Sequence, residues 1–415
     1  MRVYALMGFV NVIVPFAITT FVVCICTKPD VVLVDSFNPI FQGQRSVLLE
    51  SYDHNALLIT LFAFANKCNE NVVKIDEREN EEANQWQMLF KASNSAVLKI
   101  RYDGSYFNGW SSANDDDRGG NKIILAPEED GSFPAKASRR RRKRRPSQIR
   151  SVEGTLRKCL AKVYGDVNWK DVNMCGCSRT DKGVHARSMI AAFSYQDKPL
   201  PFRGDLQKLV YVLNRMLPFD VRVENVSLLP VDGFHPTLNA VAKTYTYTFS
   251  IGVNPNPMRW RHEWQIETEQ KFDLDSAIQV SNAFIGSHDF TAFKGAFRGN
   301  ERGKEKDPMC CIKSISISKS LSDTTEHKYV GASLASISYL IEIEGDRFLY
   351  KMARYMSSAL ISAGLRETSL ADIENALEVG TFSNRTPNNM VCAPAHGLVL
   401  SEVVYDDDLH FSWIY

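Results

Sequence analysis

The sequence predicts an α+β protein built from two halves that meet near residue 235, their sheets joining across a central cleft. Two observations carry this. Strand-like alternation and helical spacing interleave from Ala96 to Tyr405, in two clusters of β-α-β type. The composition is that of an ordinary globular chain, with 44% hydrophobic and 23% charged residues. That excludes global disorder, collagen and a polytopic membrane protein. A length of 415 residues allows two to three domains.

The elements follow in order. Ala96–Tyr102 (AVLKIRY) reads as a strand. Ser151–Tyr164 is helical, with Val152, Leu156, Cys159, Leu160 and Val163 on one stripe. Val172–Cys177 and Ile190–Tyr195 read as strands. Leu206–Met216 is a helix stopped by Pro218, and Val221–Leu228 is a strand. Val241–Ile251 alternates, with Lys243, Tyr245, Tyr247 and Phe249 on one face and Thr244, Thr246, Thr248 and Ser250 on the other. Leu274–Ile285 is helical, and Ile312–Ser318 and Ile337–Glu344 are strands. Phe348–Gly364 reads as one long helix with Phe348, Met352, Met356 and Leu360 on its apolar stripe, and Arg354 off it. Ser369–Val379 begins with a capping-box pattern of Ser369 and Asp372. Leu398–Tyr405 closes the series as a strand.

Two stretches stand apart from this body. No charge occurs between Val3 and Cys26, about 24 residues or roughly 36 Å as a helix, enough to cross a bilayer core. Residues 1–27 therefore read as a hydrophobic leader or membrane segment, and 28–95 as poorly ordered leader or linker. The second stretch is an insertion at 111–150, acidic at Asn114–Asp117 and ending in the unbroken basic run Arg139–Arg145. Such runs stay solvated, and this one suits a phosphate-binding arm or a nuclear address. The body then divides into 96–235 and 236–415. The leader favours an organelle or a membrane tether; the basic run favours the nucleus, with the cytoplasm also open.

Lys+Arg number 49 against 48 Asp+Glu, so a uniformly basic nucleic-acid coat is excluded and any such surface must come from local clustering. Candidates are Arg101, Lys182, Arg187, Arg215, Arg259 and Arg261. The nine cysteines show no zinc spacing, which points to free thiols, mostly buried, in a reducing compartment.

The sharpest chemistry lies in Cys175–Arg187 (CGCSRTDKGVHAR), where a strand runs into a polar turn broken by Gly183. Arg179 and Asp181 are two apart and share a side in extended chain. An aspartate beside an arginine stays ionised, as a carboxylate nucleophile requires. His185 is a candidate base or hydrogen-bonding residue. An ordinary surface ion pair in a strand-to-loop turn fits the same residues.

This stretch resembles the GRTDxGVHA signature of TruA-type tRNA pseudouridine synthases. Further segments agree in order. Tyr102–Trp110 (YDGSYFNGW) resembles the family's opening YDGxxYxGW, and Ser151–Leu156 its first helix. Leu213–Pro218 with Asp220–Val223 is similar to LNxxLPxDIxV. Phe234-His235 with Lys243–Tyr247 resembles FHAR…KxYxY. Gly286–Phe293, Phe348–Met356 and Ala393–Leu398 resemble GxHDFxxF, FxxxMVRN and APAxGL. Four positions depart from the pattern: Ser178 replaces a glycine, Thr237 an arginine and Tyr355 an asparagine, while Trp110 is followed by Ser111 instead of glutamine.

The resemblance implies a pseudouridine synthase fold, with a mixed, mostly antiparallel central sheet and a catalytic cleft along its middle. It implies an isomerase that needs no cofactor and no metal, breaking the N1–C1′ bond of a tRNA uridine and rejoining the base through C5. Asp181 would be the nucleophile, attacking the ribose C1′, assisting glycosidic cleavage or adding to the base; Tyr245 would be the base-stacking tyrosine and Arg354 the partner of the aspartate. Arg179, Lys182, His185, Arg187 and Lys243 would contact RNA. The expected target is a uridine near positions 38–40 of the anticodon arm. The alternative is a catalytically inactive relative that binds tRNA as a chaperone. A homodimer and a monomer are both open, as is membrane contact through residues 3–26.

Overall fold

Strand alternation on both sides of residue 235 resolves into one continuous sheet. The computed structural model describes three N-terminal strands and residues 89–111, 150–295, 307–320, 336–381 and 391–414. Two units separate, Met1–Glu82 and Ala83–Tyr415. The first contains β1 (Leu6–Val14), β2 (Ala17–Lys28) and β3 (Val31–Phe37), an antiparallel sheet. Residues 6–14 and 17–26 of the uncharged stretch thus lie in strands and not in the membrane-length helix expected there. Its valines, isoleucines and threonines suit extended backbone, and Pro15 falls between the first two strands. Among the described residues no helix is long and apolar enough to cross a membrane. The 112–149 part of the insertion, with Arg139–Arg145, lies outside the described residues.

The second unit carries β4 (Ala96–Tyr102), β5 (Asn173–Gly176), β6 (His185–Ser194), β7 (Val221–Leu228), β8 (Ala240–Gly252), β9 (Trp264–Glu267), β10 (Gly286–Asp289), β11 (Met309–Lys319), β12 (Ile337–Gly345) and β13 (Leu398–Tyr405). They make a ten-stranded sheet in the order β10-β11-β12-β8-β13-β6-β4-β7, with β5 beside β6 and β9 beside β8. All pairings are antiparallel except β13 with β6 and β8 with β9. The sheet is mixed and mostly antiparallel, as expected. The helices are α1 (Val152–Val163), α2 (Leu206–Met216), α3 (Leu274–Ser281), α4 (Met352–Gly364) and α5 (Leu370–Val379).

The centre of the sheet is a seam. β13 runs parallel to β6, with Val399 opposite His185, and antiparallel to β8, with Leu400 opposite Tyr245. A strand covered on both faces should be apolar on both. Along β8, Tyr245, Tyr247 and Phe249 are buried, and Thr244 and Thr246 on the other face are buried too. Thr246 meets its polar need by hydrogen-bonding Ser401, Oγ1 to Oγ at 2.7 Å.

Several boundaries differ from expectation, each for a physical reason. β6 begins at His185 and not Ile190, because neighbours on both sides pair with its polar start: Ala186 lies opposite both Leu400 and Tyr102. The helix expected from Phe348 begins at Met352. Lys351 has φ of +62°, and the preceding turn is tied elsewhere, through Asp346 N–H to the Cys311 carbonyl and through Arg347 to the Met309 carbonyl. Phe348 is therefore not part of the helical stripe. α3 ends at Ser281, where the backbone tightens into a 3₁₀ turn. The capping box of Ser369 and Asp372 forms as expected at the start of α5. β9 and β10, four residues each, are too short to show alternation. Cys159, Cys175, Cys177, Cys310, Cys311 and Cys392 are free.

The root of the insertion is held by a buried ion pair. Arg150 meets Asp220 and lies 3.9 Å over the Phe107 ring, with side-chain exposures of 8% and 9% for the charged pair. Removing one partner leaves an uncompensated buried charge. Arg150→Met is expected to lower unfolding free energy by about 3 kcal/mol, read as a reduced urea midpoint with an unchanged slope.

Candidate active site

The Asp181 loop lies between β5 and β6, and the opening motif is pressed against it. Gly104 and Gly109 explain the glycines of YDGSYFNGW. A Cβ on Gly104 would fall 2.0 Å from the Val184 carbonyl oxygen, and one on Gly109, whose φ is +100°, 2.6 Å from that of Thr180. Only glycine permits so close an approach with that backbone. Trp110 N–H donates to the Thr180 carbonyl (3.1 Å), and the hydroxyls of Thr180 and Tyr102 lie 2.7 Å apart. Within the loop, Val184 N–H donates to the Asp181 carbonyl at 3.1 Å. The loop is thus fixed by its own turn and by a neighbouring strand end.

Arg354, in the first turn of α4, reaches this loop. Its Nη1 donates to Asp181 Oδ2 at 2.9 Å, and its Nε donates to the Ala393 carbonyl at 2.7 Å. One guanidinium therefore joins α4, the segment before β13 and the Asp181 loop. The two side chains are 13% and 17% exposed, so the pair is screened from bulk water yet open to a ligand. Such a charge-assisted bond orients the carboxylate. Arg179, expected beside Asp181, is exposed, as is Lys182; the residue that pairs with the aspartate is Arg354.

Tyr245 comes from β8 across the seam. Its hydroxyl lies 2.9 Å from Ser178 Oγ, and its ring meets Phe348 edge-on at 4.8 Å between centroids. Burial raises its phenol well above the ordinary range, with the Ser178 contact opposing in part, so it is neutral at physiological pH. Ser178 is one of the four departures from the family pattern, and its hydroxyl here has a partner a glycine would lack. Of the others, Thr237 donates its hydroxyl to the Gly176 carbonyl at 3.0 Å, and Tyr355 packs partly buried against the core.

The remaining expected residues are placed elsewhere. Lys243 is buried, its charge opposing in part the burial that raises the Cys177 and Cys175 thiols. Arg187 lies in a cavity of about 750 Å³ with Glu342, Glu344, Asp406 and Asp407. Strand register puts it on the sheet face opposite Tyr245, and that cavity contains none of Asp181, Tyr245 or Arg354. His185 is 4% exposed, with Gly104 N–H donating to Nδ1 and the carbonyls of Arg261 and His396 each 3.0 Å from Nε2. Asp103, His185 and His262 bring three ligand-type atoms within 4.8 Å of one another. The Gly104 N–H occupies the Nδ1 lone pair a metal would need, so these residues fit a hydrogen-bonded brace better than a metal site.

Phe348, Ser178 and the Ala393 carbonyl were not singled out from sequence as site groups. Their signal was only their place inside the motifs.

With this geometry in place, comparison with known proteins is direct. Residues 280–406 match the family model described as tRNA pseudouridine synthase. The chain is 30% identical over 317 residues to a tRNA pseudouridine synthase A 2 of Protochlamydia amoebophila, covering 76% of this chain and 96% of the relative. It is 28% identical over 309 residues to the protein of that name from Clostridium tetani, covering 74% and 98%. A tRNA pseudouridine synthase A of a Geobacter species is 29% identical over 260 residues, 62% of this chain and 90% of the relative. The chain is a member of the TruA-type tRNA pseudouridine synthase family, and its reaction is the isomerisation of uridine in tRNA.

Two substitutions probe the geometry. Gly109→Ala is expected to displace the Asp181 loop, lowering the thermal midpoint and the rate of pseudouridine formation together, since its φ and the Thr180 contact both oppose a side chain. Ser178→Ala leaves the buried Tyr245 hydroxyl without this partner, at a cost of about 1–3 kcal/mol. In a double-mutant cycle with Tyr245→Phe, measured by urea unfolding, the pair is expected to show favourable coupling.

Proposed function

We propose that Asp181 is the nucleophile of this isomerisation, that Arg354 orients its carboxylate, and that the target uridine lies in the tRNA anticodon arm around positions 38–40. The observation that carries the catalytic part is the 2.9 Å Arg354–Asp181 pair, formed between a loop and a helix separated by more than 150 residues of chain. A free aspartate on a surface loop needs no such partner. The anticodon-arm assignment rests on the resemblance of the motif series to the TruA family.

The residues divide the work as follows. The uridine is extruded from its stack, a step costing a few kcal/mol that replacement contacts must offset. Tyr245 offers an aromatic side chain to the extruded base. Because its phenol stays protonated, it acts as a neutral stacking surface and not as a phenolate base. The Asp181 carboxylate attacks C1′ as the N1–C1′ bond breaks and its electron pair leaves on the uracil; the base turns, and C5 bonds to C1′ as the Asp181 oxygen leaves and the free carboxylate returns. The C5 proton leaves and N1 gains one, so the overall change is an isomerisation needing no oxidant or reductant. Arg179 and Lys182, exposed on either side of Asp181, supply positive charge where the backbone phosphates of an extruded nucleotide would pass.

The test is incubation of the full chain with unmodified tRNA transcripts, mapping pseudouridine by chemical derivatisation and primer extension. The wild type is expected to modify the anticodon arm. Asp181→Ala is expected to lower the rate by at least about 10³-fold while still binding tRNA. Modification at other uridines only would overturn the target assignment; substantial activity in Asp181→Ala would overturn the nucleophile.

A further inference from the structure

We propose that Tyr106, Trp260 and Arg261 form a second aromatic platform, outside the Asp181–Tyr245–Arg354 site, that stacks an unpaired base of the tRNA substrate. The inference rests on the tRNA-modifying reading of the enzyme and adds a contact for a base other than the reacting uridine.

Three observations converge on this patch. First, aromatic surface is left outside the core: Tyr106 is 46% exposed and Trp260 60%. Buried tryptophans and tyrosines contribute strongly to stability, so two held partly in water around one arginine call for another partner. Secondly, a cation lies between them. The Arg261 guanidinium is 5.0 Å from the Tyr106 ring centre and 5.2 Å from that of Trp260. No carboxylate among the described residues pairs with it. Aromatic rings joined to an arginine are the chemistry that grips single-stranded nucleic acid: the rings stack on bases and the guanidinium adds stacking and phosphate contact. Thirdly, the patch is rigid and rooted beside the catalytic loop. Tyr106 ends the short turn whose Gly104 presses on the Val184 carbonyl. The Arg261 carbonyl lies 3.0 Å from His185 Nε2. Both anchors are three and four residues past Asp181.

The turn that presents Trp260 is itself fixed. Arg259 N–H donates to the Asn256 carbonyl and His262 N–H to the Arg259 carbonyl. Below it, buried Glu263 accepts from the Ser338 hydroxyl, and Arg259 donates to that same oxygen at 2.9 Å. Glu263 and Arg259 are thus spent on holding the turn, while Arg261 is free of that work. A preorganised surface loses little entropy on binding. His185 takes its meaning here: it is a positioning residue, linking the Asp181 loop to the turn that carries Arg261.

The charge of the patch decides between RNA and protein as its partner. An apolar protein surface docked on Trp260 and Met258 would leave Arg261 desolvated and unpaired. An anionic polymer with exposed bases satisfies both the rings and the cation.

The experiment uses the full chain and an unmodified tRNA transcript that the wild type modifies. Equilibrium binding, steady-state kinetics and sedimentation are measured for Trp260→Ala, Tyr106→Ala, Trp260→Phe and wild type. Each alanine variant is expected to raise the Kd and the KM about 5- to 150-fold, the range of one lost base stack, with the loss falling on KM more than on kcat. Trp260→Phe is expected to recover most of the affinity. Unchanged Kd in both alanine variants would overturn the platform, as would a loss confined to kcat. A dimer that dissociates on Trp260→Ala, with tRNA affinity unchanged, would overturn it in favour of a protein interface. Absence of pseudouridine with the wild type on any tRNA would refute the enzymatic reading, and the Kd comparison would still decide the platform.

Discussion

The site depends on β13 lying between β6 and β8. Without that strand the sheet separates into β4–β7 on one side and β8–β12 on the other. With it, Ala186 and Tyr245 both come opposite Leu400. The loop that ends in β6 carries Asp181, and the approach to β13 supplies the Ala393 carbonyl that Arg354 holds. One strand thus sets the distance between the carboxylate, the arginine and the tyrosine. Its hydrogen bonds are backbone bonds, common to any sequence of the right pattern, so register brings the elements together, and Arg354 with the close-packed Gly104 and Gly109 then fixes the loop between them.

The electrostatics follow from this placement. Asp181 meets Arg354 in a partly screened setting, where a charge-assisted bond is stronger than at an open surface. Tyr245 meets a hydroxyl and an aromatic edge and stays neutral. Cys175, close by in chain to the loop, has a thiol pushed up to about 12 by burial, so it is not a competing nucleophile. A carboxylate oriented by an arginine and a phenol kept neutral by burial therefore share one site.

Much of this was legible in the sequence. The limits of α2, β4, β7 and β13 follow from periodicity and stop signals, because their residues obey one pattern along their whole length. Asp181, Tyr245 and Arg354 stood out through their motifs, and the structure brings them together. What was hidden has physical causes. A positive φ at Lys351 leaves no hydrophobic trace, so α4 read as beginning too early. Lys243 alternates with aromatic residues, but alternation reports a face and not its depth, so its burial was not foreseen. Arg187 was placed with the catalytic loop by closeness in sequence, whereas strand geometry turns it to the opposite face. The N-terminal uncharged stretch is long enough for a helix that crosses a bilayer, yet its β-branched residues suit strands equally well, and length alone does not distinguish them.

The position of β13 also has a consequence in time. Val399 pairs with His185, and Leu400 with Tyr245, so the central contacts close loops of more than 150 residues. Contacts so distant in sequence carry a high closure entropy and form late. On the ribosome, the edges of β6 and β8 await a partner until residues 398–405 have left the exit tunnel. Until then both present unpaired backbone of the kind that invites mispairing. β13 covers the start of β6 and the facing edge of β8, so the nascent chain's exposure to chaperones and to aggregation lasts at least until β13 has been translated.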